Sequence, residues 1–183
     1  MKHLTVAERL AQSCVAAASS MVVNSQVLHA VERVLLDTLA CALGGAESAP
    51  AKAVRAWARL SQGTPHANII GTRETSSVHG ATLANCTLSR HLDMNDCDWA
   101  SDPAHPSDNI GACLAVGQVT GASAVDILKA ILVAYEVQMR STEFTKVSFF
   151  KTTGWDHTTF VTLATSAAAG TLLHLDAACA RGL

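Results

Sequence analysis

Ile127-Leu128-Lys129-Ala130-Ile131-Leu132-Val133-Ala134-Tyr135-Glu136-Val137 is the most apolar run in the chain, and its reading decides the fold. Two structures suit such a run: a membrane span or a helix inside a protein core. It is shorter than the roughly 20 apolar residues a span needs, and Lys129 and Glu136 interrupt it. The core helix remains. Apolar residues occupy nearly every direction around the axis from Ala124 onward, so the spacing predicts a central, buried helix from Ala124 to about Glu143.

Working outward, the same pattern recurs. Val27, Leu28, Val31, Val34, Leu35, Leu39 and Leu43 follow one another at helical spacing, predicting a helix from Gln26 to Leu43 with Ser25 as N-cap and Gly44-Gly45 as its stop. An alanine-rich helix precedes it over residues 5 to 22. Pro50 opens a third, with Ala53, Val54, Trp57 and Leu60 on its apolar side and Gly63-Thr64-Pro65 beyond its end. Residues 67 to 70 read as a short strand, and a helix follows from about Ser77 to Leu92. Pro103 and Pro106 keep residues 98 to 106 out of regular helix. Ser107 then fits an N-cap for a helix over 108–119, ended by Gly121. A loop is expected over 146–156, then a helix from Thr158 to about Leu173 whose Ala164, Ala167, Ala168, Ala169 and Gly170 allow close helix packing. Asp176 fits the cap of one more helix, cut short at Leu183, which predicts an incomplete domain. The fold class is all-α, a multi-helix bundle-like domain over residues 1–183.

Composition narrows the function. Hydrophobic residues make up 49% of the 183 and charged residues 15%, against about 25% charged in ordinary globular chains. So little charge predicts that a partner or further chain covers part of the surface. The net charge of -2, without a basic tract, argues against nucleic acid. No signal-peptide core opens the chain. The six cysteines form no C-x-x-C pair and mostly lie among small apolar residues, as reduced thiols of a cytoplasmic protein do. G-x-G-x-x-G, the Walker loop, H-E-x-x-H and G-x-S-x-G are all missing.

What chemistry the chain carries concentrates in residues 91–109. These nineteen positions hold five of its fifteen acidic residues (Asp93, Asp96, Asp98, Asp102, Asp108) together with His91 and His105. An oxygen-rich cluster suits a hard cation, yet the spacing matches no ligand loop, and no metal is expected. Acid–base work is the stronger reading. Asp93 is expected at a helix C-terminus, where the dipole disfavours its anion and raises its pKa. His105 lies between two prolines, in backbone of restricted freedom, and imidazole moves protons efficiently near neutrality. His157 follows Asp156, a candidate cap, so the helix dipole is expected to lower its pKa and keep it neutral. Each also has a plain structural reading, as a polar helix end, a loop histidine or a first-turn histidine. Arg140, Lys146 and Lys151 share a window in which Glu143 is the only acid, suited to attracting an anion or simply to solvation.

The order of motifs resembles the N-terminal, helical part of the MmgE/PrpD (2-methylcitrate dehydratase) family. The carriers are Leu35-Leu36-Asp37-Thr38-Leu39-Ala40, Ala84-Asn85 leading to His91-Leu92-Asp93-Met94-Asn95-Asp96, and His105-Pro106-Ser107-Asp108-Asn109. Ala134-Tyr135-Glu136-Val137-Gln138 and Gly154-Trp155-Asp156-His157 complete the series. The resemblance implies a cytoplasmic homodimer of propionate catabolism, acting on a citrate-like polycarboxylate by proton transfer beside a carboxylate, with no cofactor and no iron–sulfur cluster. It implies Asp93, His105 and His157 as catalytic positions and Cys97, Ser107 and Lys151 as substrate-binding ones, with Cys97 standing where a relative has threonine. Family members are longer and carry a second, lid-like domain with further catalytic residues. The chain alone is therefore expected to hold part of an active site, as one half of a split enzyme or, alternatively, a non-catalytic helical dimerisation module.

Overall fold

The computed structural model describes residues 4–21, 23–61, 63–64, 66–99, 102–145 and 149–176. Helices α1 (Val6–Ser20), α2 (Ser25–Gly45) and α3 (Ala49–Leu60) are followed by a two-stranded antiparallel pair, β1 (His66–Asn68) and β2 (Thr75–Ser77). Then come α4 (Val78–Arg90), α5 (Ile110–Thr120), α6 (Ala124–Phe144), the five-residue α7 (Phe149–Thr153) and α8 (Thr158–Leu172). The all-α expectation holds. Asp176 is the last described residue, so the predicted final helix, like Lys146 and Cys179, lies outside the described residues.

Helix α6 is the central element the sequence predicts. A capping box starts it: the Ser123 hydroxyl accepts from the Asp126 N–H, and the Asp126 carboxylate accepts from the Ser123 N–H. Ala130, Ile131, Val133, Ala134 and Val137 are buried against Ile110 and Cys113 of α5 and Ala164, Ala168 and Leu172 of α8. The side chains α8 offers at this contact are mostly methyl groups, which lets it pack most extensively against α6. Removing Ile131 from water alone contributes on the order of 2 kcal/mol.

Elsewhere the structure corrects the reading in its details. The N-cap of α2 is Asn24, whose side chain accepts from the Val27 N–H, rather than Ser25. Gly44 and Gly45 do not stop this helix but belong to it. A Cβ on Gly45 would run into the main-chain oxygen of Leu88, so glycine there permits α2 and α4 to approach closely. The apolar face of α2 rotates accordingly: Val31, Thr38, Cys41, Ala42 and Gly45 are buried, and Leu43 is exposed. In α3 the buried side chains are Ala51 and Ala58, whereas Trp57 and Leu60 face outward.

The strand expected over 67–70 is real but shorter, and it pairs with a second strand that is polar and so gives no hydrophobic signal. Register pairs Ala67 with Ser76. Asn85 of α4 secures this hairpin: its amide donates to the Asn68 carbonyl (3.1 Å) and accepts from the Ile70 N–H (2.9 Å). Ser107 caps no helix. Residues Pro106–Asn109 form a single 3-10 turn that runs directly into α5 at Ile110. The expected loop over 146–156 contains α7.

Candidate active site

The connection from α4 to α5 is irregular backbone held by side chains. Asp93 follows the end of α4 with φ of +52°, a left-handed conformation an aspartate tolerates better than most residues, and its N–H donates to the Arg90 carbonyl. Asp98 and Ala104 then exchange both backbone hydrogen bonds in an isolated antiparallel bridge (2.8 and 3.0 Å). This pinch delivers the chain to a buried Ala104, with His105 next and Pro106 buried behind it. Below the turn, the fully buried Asn109 donates to the Pro106 carbonyl (2.9 Å) and to Gln138 Oε1 of α6 (2.6 Å), and accepts from Thr165 of α8 (2.7 Å). The turn carrying His105 is thus tied to both core helices.

His105 Nδ1 lies 2.7 Å from the main-chain oxygen of Asp96. A carbonyl only accepts, so Nδ1 carries the proton and Nε2 of the neutral ring keeps its lone pair. That is the arrangement of a base. The His157 ring stands edge-on to it, with centroids 5.4 Å apart and planes at 69°.

His157 is held in another way. Its Nε2 is 3.3 Å from Asp108 Oδ2 and its Nδ1 is 2.8 Å from Asp156 Oδ1. With a carboxylate at each nitrogen, the ring is best satisfied when both nitrogens carry protons. Its pKa is raised, first by the hydrogen bond with Asp108 and then by the charges of Asp156 and Asp108, against the opposing effects of burial and Arg90. The sequence reading has the opposite sign here. His157 does stand at the start of α8, but the carboxylate of Asp108, brought from 49 residues away, meets its ring and raises its pKa. Asp156 in turn accepts from the Thr158 N–H at 3.0 Å, and this bond lowers its own pKa.

Arg90 joins the acids of the segment. Its Nη1 donates to Asp93 Oδ1 and to Asn95 Oδ1, both at 2.8 Å, and its Nε stands 3.4 Å from Asp108 Oδ1. The last contact is an ion pair without hydrogen-bond alignment, and Asp108 Oδ1 is buried without a hydrogen bond. Asn95 donates onward to the Ser107 hydroxyl at 2.8 Å. Asp93 and Asp108 thus share Arg90, and among the described residues no three His, Cys, Asp or Glu side chains converge on a point a metal ion could occupy.

Of the six predicted site residues, His105 and His157 come together directly. Asp93, three-quarters exposed, connects to His157 through Arg90 and Asp108, and Ser107 is buried under the same turn. Cys97 is exposed and its thiol faces the Asp98 carbonyl at 3.8 Å. Lys151 is exposed on α7, and among the described residues neither it nor Cys97 hydrogen-bonds or pairs with the two histidines. Arg140 pairs instead with Glu136, one turn away on α6. Arg90 and Asp108 were missed as functional partners. The sequence held one signal for Asp108, its place beside His105 in the H-P-S-D-N motif, and none for Arg90.

A large cavity lies away from this chemistry. It is an apolar groove of about 1250 Å³ between α1, the start of α2, α6 and α8, lined by residues such as Leu10, Val27, Val137, Phe144 and Phe160. Among the described residues its lining contains no histidine and only the Glu136–Arg140 pair for charge, so convergence of titratable groups, not volume, marks the site.

Comparison with known proteins identifies the family. The MmgE/PrpD N-terminal domain matches residues 8–181. A probable 2-methylcitrate dehydratase of Saccharomyces cerevisiae is 30% identical over 172 residues, which is 83% of this chain and 32% of the yeast protein. An alkylcitrate dehydratase of a fungal species is 30% identical over 170 residues, 84% of this chain and 33% of that protein. A mitochondrial 2-methylcitrate dehydratase of Yarrowia lipolytica is 33% identical over 100 residues, 49% of this chain and 19% of its own length. The chain thus spans about a third of the length of the first two. With the helical fold, the ordered motifs and a match over nearly all its residues, the chain belongs to the MmgE/PrpD family, as its N-terminal domain.

Proposed function

We propose that this domain supplies the proton-transfer pair of a dehydratase acting on 2-methylcitrate or a closely similar tricarboxylate. His105 Nε2 takes the proton from the carbon beside a carboxylate. The imidazolium of His157 gives a proton to the hydroxyl on the neighbouring carbon. The C–H and C–O bonds break, a C=C bond forms, and water leaves. The observation that carries this reading is the pairing at 5.4 Å of one histidine with a free lone pair and one held between two carboxylates. Two titratable groups whose surroundings separate their proton affinities divide into base and acid.

Arg90 reaches this pair through Asp108, and we assign it, with Asp93 and Asn95 setting its direction, to a substrate carboxylate. Cys97, Ser107 and Lys151 remain substrate-binding proposals. Homodimerisation likewise is a proposal, for light scattering to test. So is the cytoplasm, which stands beside the mitochondrial location in the Yarrowia relative's name. Among the described residues no helix is long and apolar enough to cross a membrane.

The test follows formation of the conjugated product by its ultraviolet absorbance, with 2-methylcitrate and citrate as substrates. Because the chain spans about a third of its relatives, the assay is run on the chain alone and with a co-expressed C-terminal domain of the family. Turnover in at least one arm, lost in His105→Ala, is the expected result. Absence of turnover in both arms, or full turnover by His105→Ala, would overturn the proposal.

A further inference from the structure

Asp96 spends three acceptors on one neighbourhood. Its main-chain oxygen takes the Nδ1 proton of His105 (2.7 Å), its Oδ1 takes the Ser107 N–H (3.1 Å), and its Oδ2 takes the hydroxyl proton of Tyr135 (2.8 Å). The first bond touches the ring itself. The second fixes the backbone two residues further on, so His105 is gripped from both sides by a single residue. Asn95, bonded to Arg90 and Ser107, and the Asp98–Ala104 bridge hold the loop on either side of Asp96, but these contacts give its carboxylate no foundation in the helical core. The third bond supplies one. Tyr135 projects from the middle of α6, between the buried Ala134 and Val137, and reaches across 39 residues of sequence to the loop.

We propose that Tyr135 and Asp96 are positioning residues that hold His105 in its Nδ1-protonated form, with Nε2 directed away from the Asp96 carbonyl as the free base. The role of His105 as base rests on the function proposed above; the hold on its ring does not. Burial and the adjacent Asp96 push the Tyr135 pKa up, so the hydroxyl keeps its proton and the bond runs in one direction across the physiological range. Tyrosine is suited to this place because its ring packs with the core while its hydroxyl reaches a polar partner. Phenylalanine would preserve the packing and remove only the bond.

Nitrogen-15 NMR of the histidine side chains, in the chain without substrate, provides the test. In the native chain His105 should show one tautomer, protonated at Nδ1. In Tyr135→Phe, and independently in Asp96→Asn, a population protonated at Nε2 should appear while circular dichroism stays native. Where turnover is measurable, Tyr135→Phe should lower kcat by about ten- to a hundredfold, the scale of a misplaced catalytic group, with KM changed less than about twofold. An unchanged tautomer in both folded variants would overturn the proposal. If Tyr135→Phe does not fold, the Asp96→Asn spectrum decides alone. A shifted tautomer together with an inactive native protein would leave this inference standing and remove the dehydratase reading.

Discussion

His105 and His157 face one another at 5.4 Å, yet the chain holds them by different means. His105 sits on irregular backbone. Its ring meets a peptide carbonyl, and its turn is anchored by the amides and hydroxyls of Asn109, Gln138 and Thr165. His157 opens a regular helix, but its ring meets two carboxylates. A carbonyl selects which nitrogen carries a proton without adding charge, whereas carboxylates favour a second proton. The difference teaches that a histidine's neighbours decide how many protons its ring favours, and one of those neighbours, Asp108, comes from 49 residues away.

Removing either ring should break the pair outright. In a protein with measurable turnover, His105→Ala and His157→Ala should each lower kcat by the ~10²–10⁴ typical of an acid–base group. Because residues acting as a unit are not additive, the double variant should lose little more than the worse single one. A multiplicative loss, read from steady-state kinetics, would mean that the two histidines act independently.

Gly45→Ala separates fold from chemistry. The added methyl meets the Leu88 carbonyl of α4, and overpacking of this kind costs about 1–3 kcal/mol. Urea unfolding should register that loss, while both histidines keep their proton arrangement in the NMR spectrum. A changed His105 tautomer in this variant would make the histidine geometry a general consequence of helix packing.

The smallest effect is on stability against pH. The folded pKa of His157 lies above its reference value of 6.5. Its imidazolium therefore stabilises the fold fully below about pH 6.5, and that contribution is lost as pH rises through the raised folded value. Melting temperature should decline over this window. Asp108→Asn removes the first cause of the shift and should flatten the decline; an identical slope in the variant would assign it to another group.

Much of the fold was legible because its signals are local. The apolar run around Ile131, the small residues of α8 and the prolines bracketing His105 each declare their structure within one or two turns. Strand β2 was hidden because Thr75-Ser76-Ser77 is polar, its place fixed by the hairpin register and by the Ser76 hydroxyl's bond to the Ala58 carbonyl. Gly44-Gly45 misled because a glycine that ends a helix and one that admits a neighbouring helix look alike in sequence. The site divides along the same line. Motif resemblance singles out His105 and His157 as candidates, whereas the sign of the His157 shift depends on Asp108, and the Asp96 carboxylate near His105 is bonded by Tyr135. Contacts across 49 and 39 residues leave no trace in local spacing.

The most direct test of the central claim is a nitrogen-15 NMR pH titration resolving both rings in the native chain. His157 should titrate above 6.5 and be doubly protonated below its midpoint, and neutral His105 should carry its proton on Nδ1. A His157 midpoint at or below 6.5, or a neutral His105 protonated at Nε2, would contradict it.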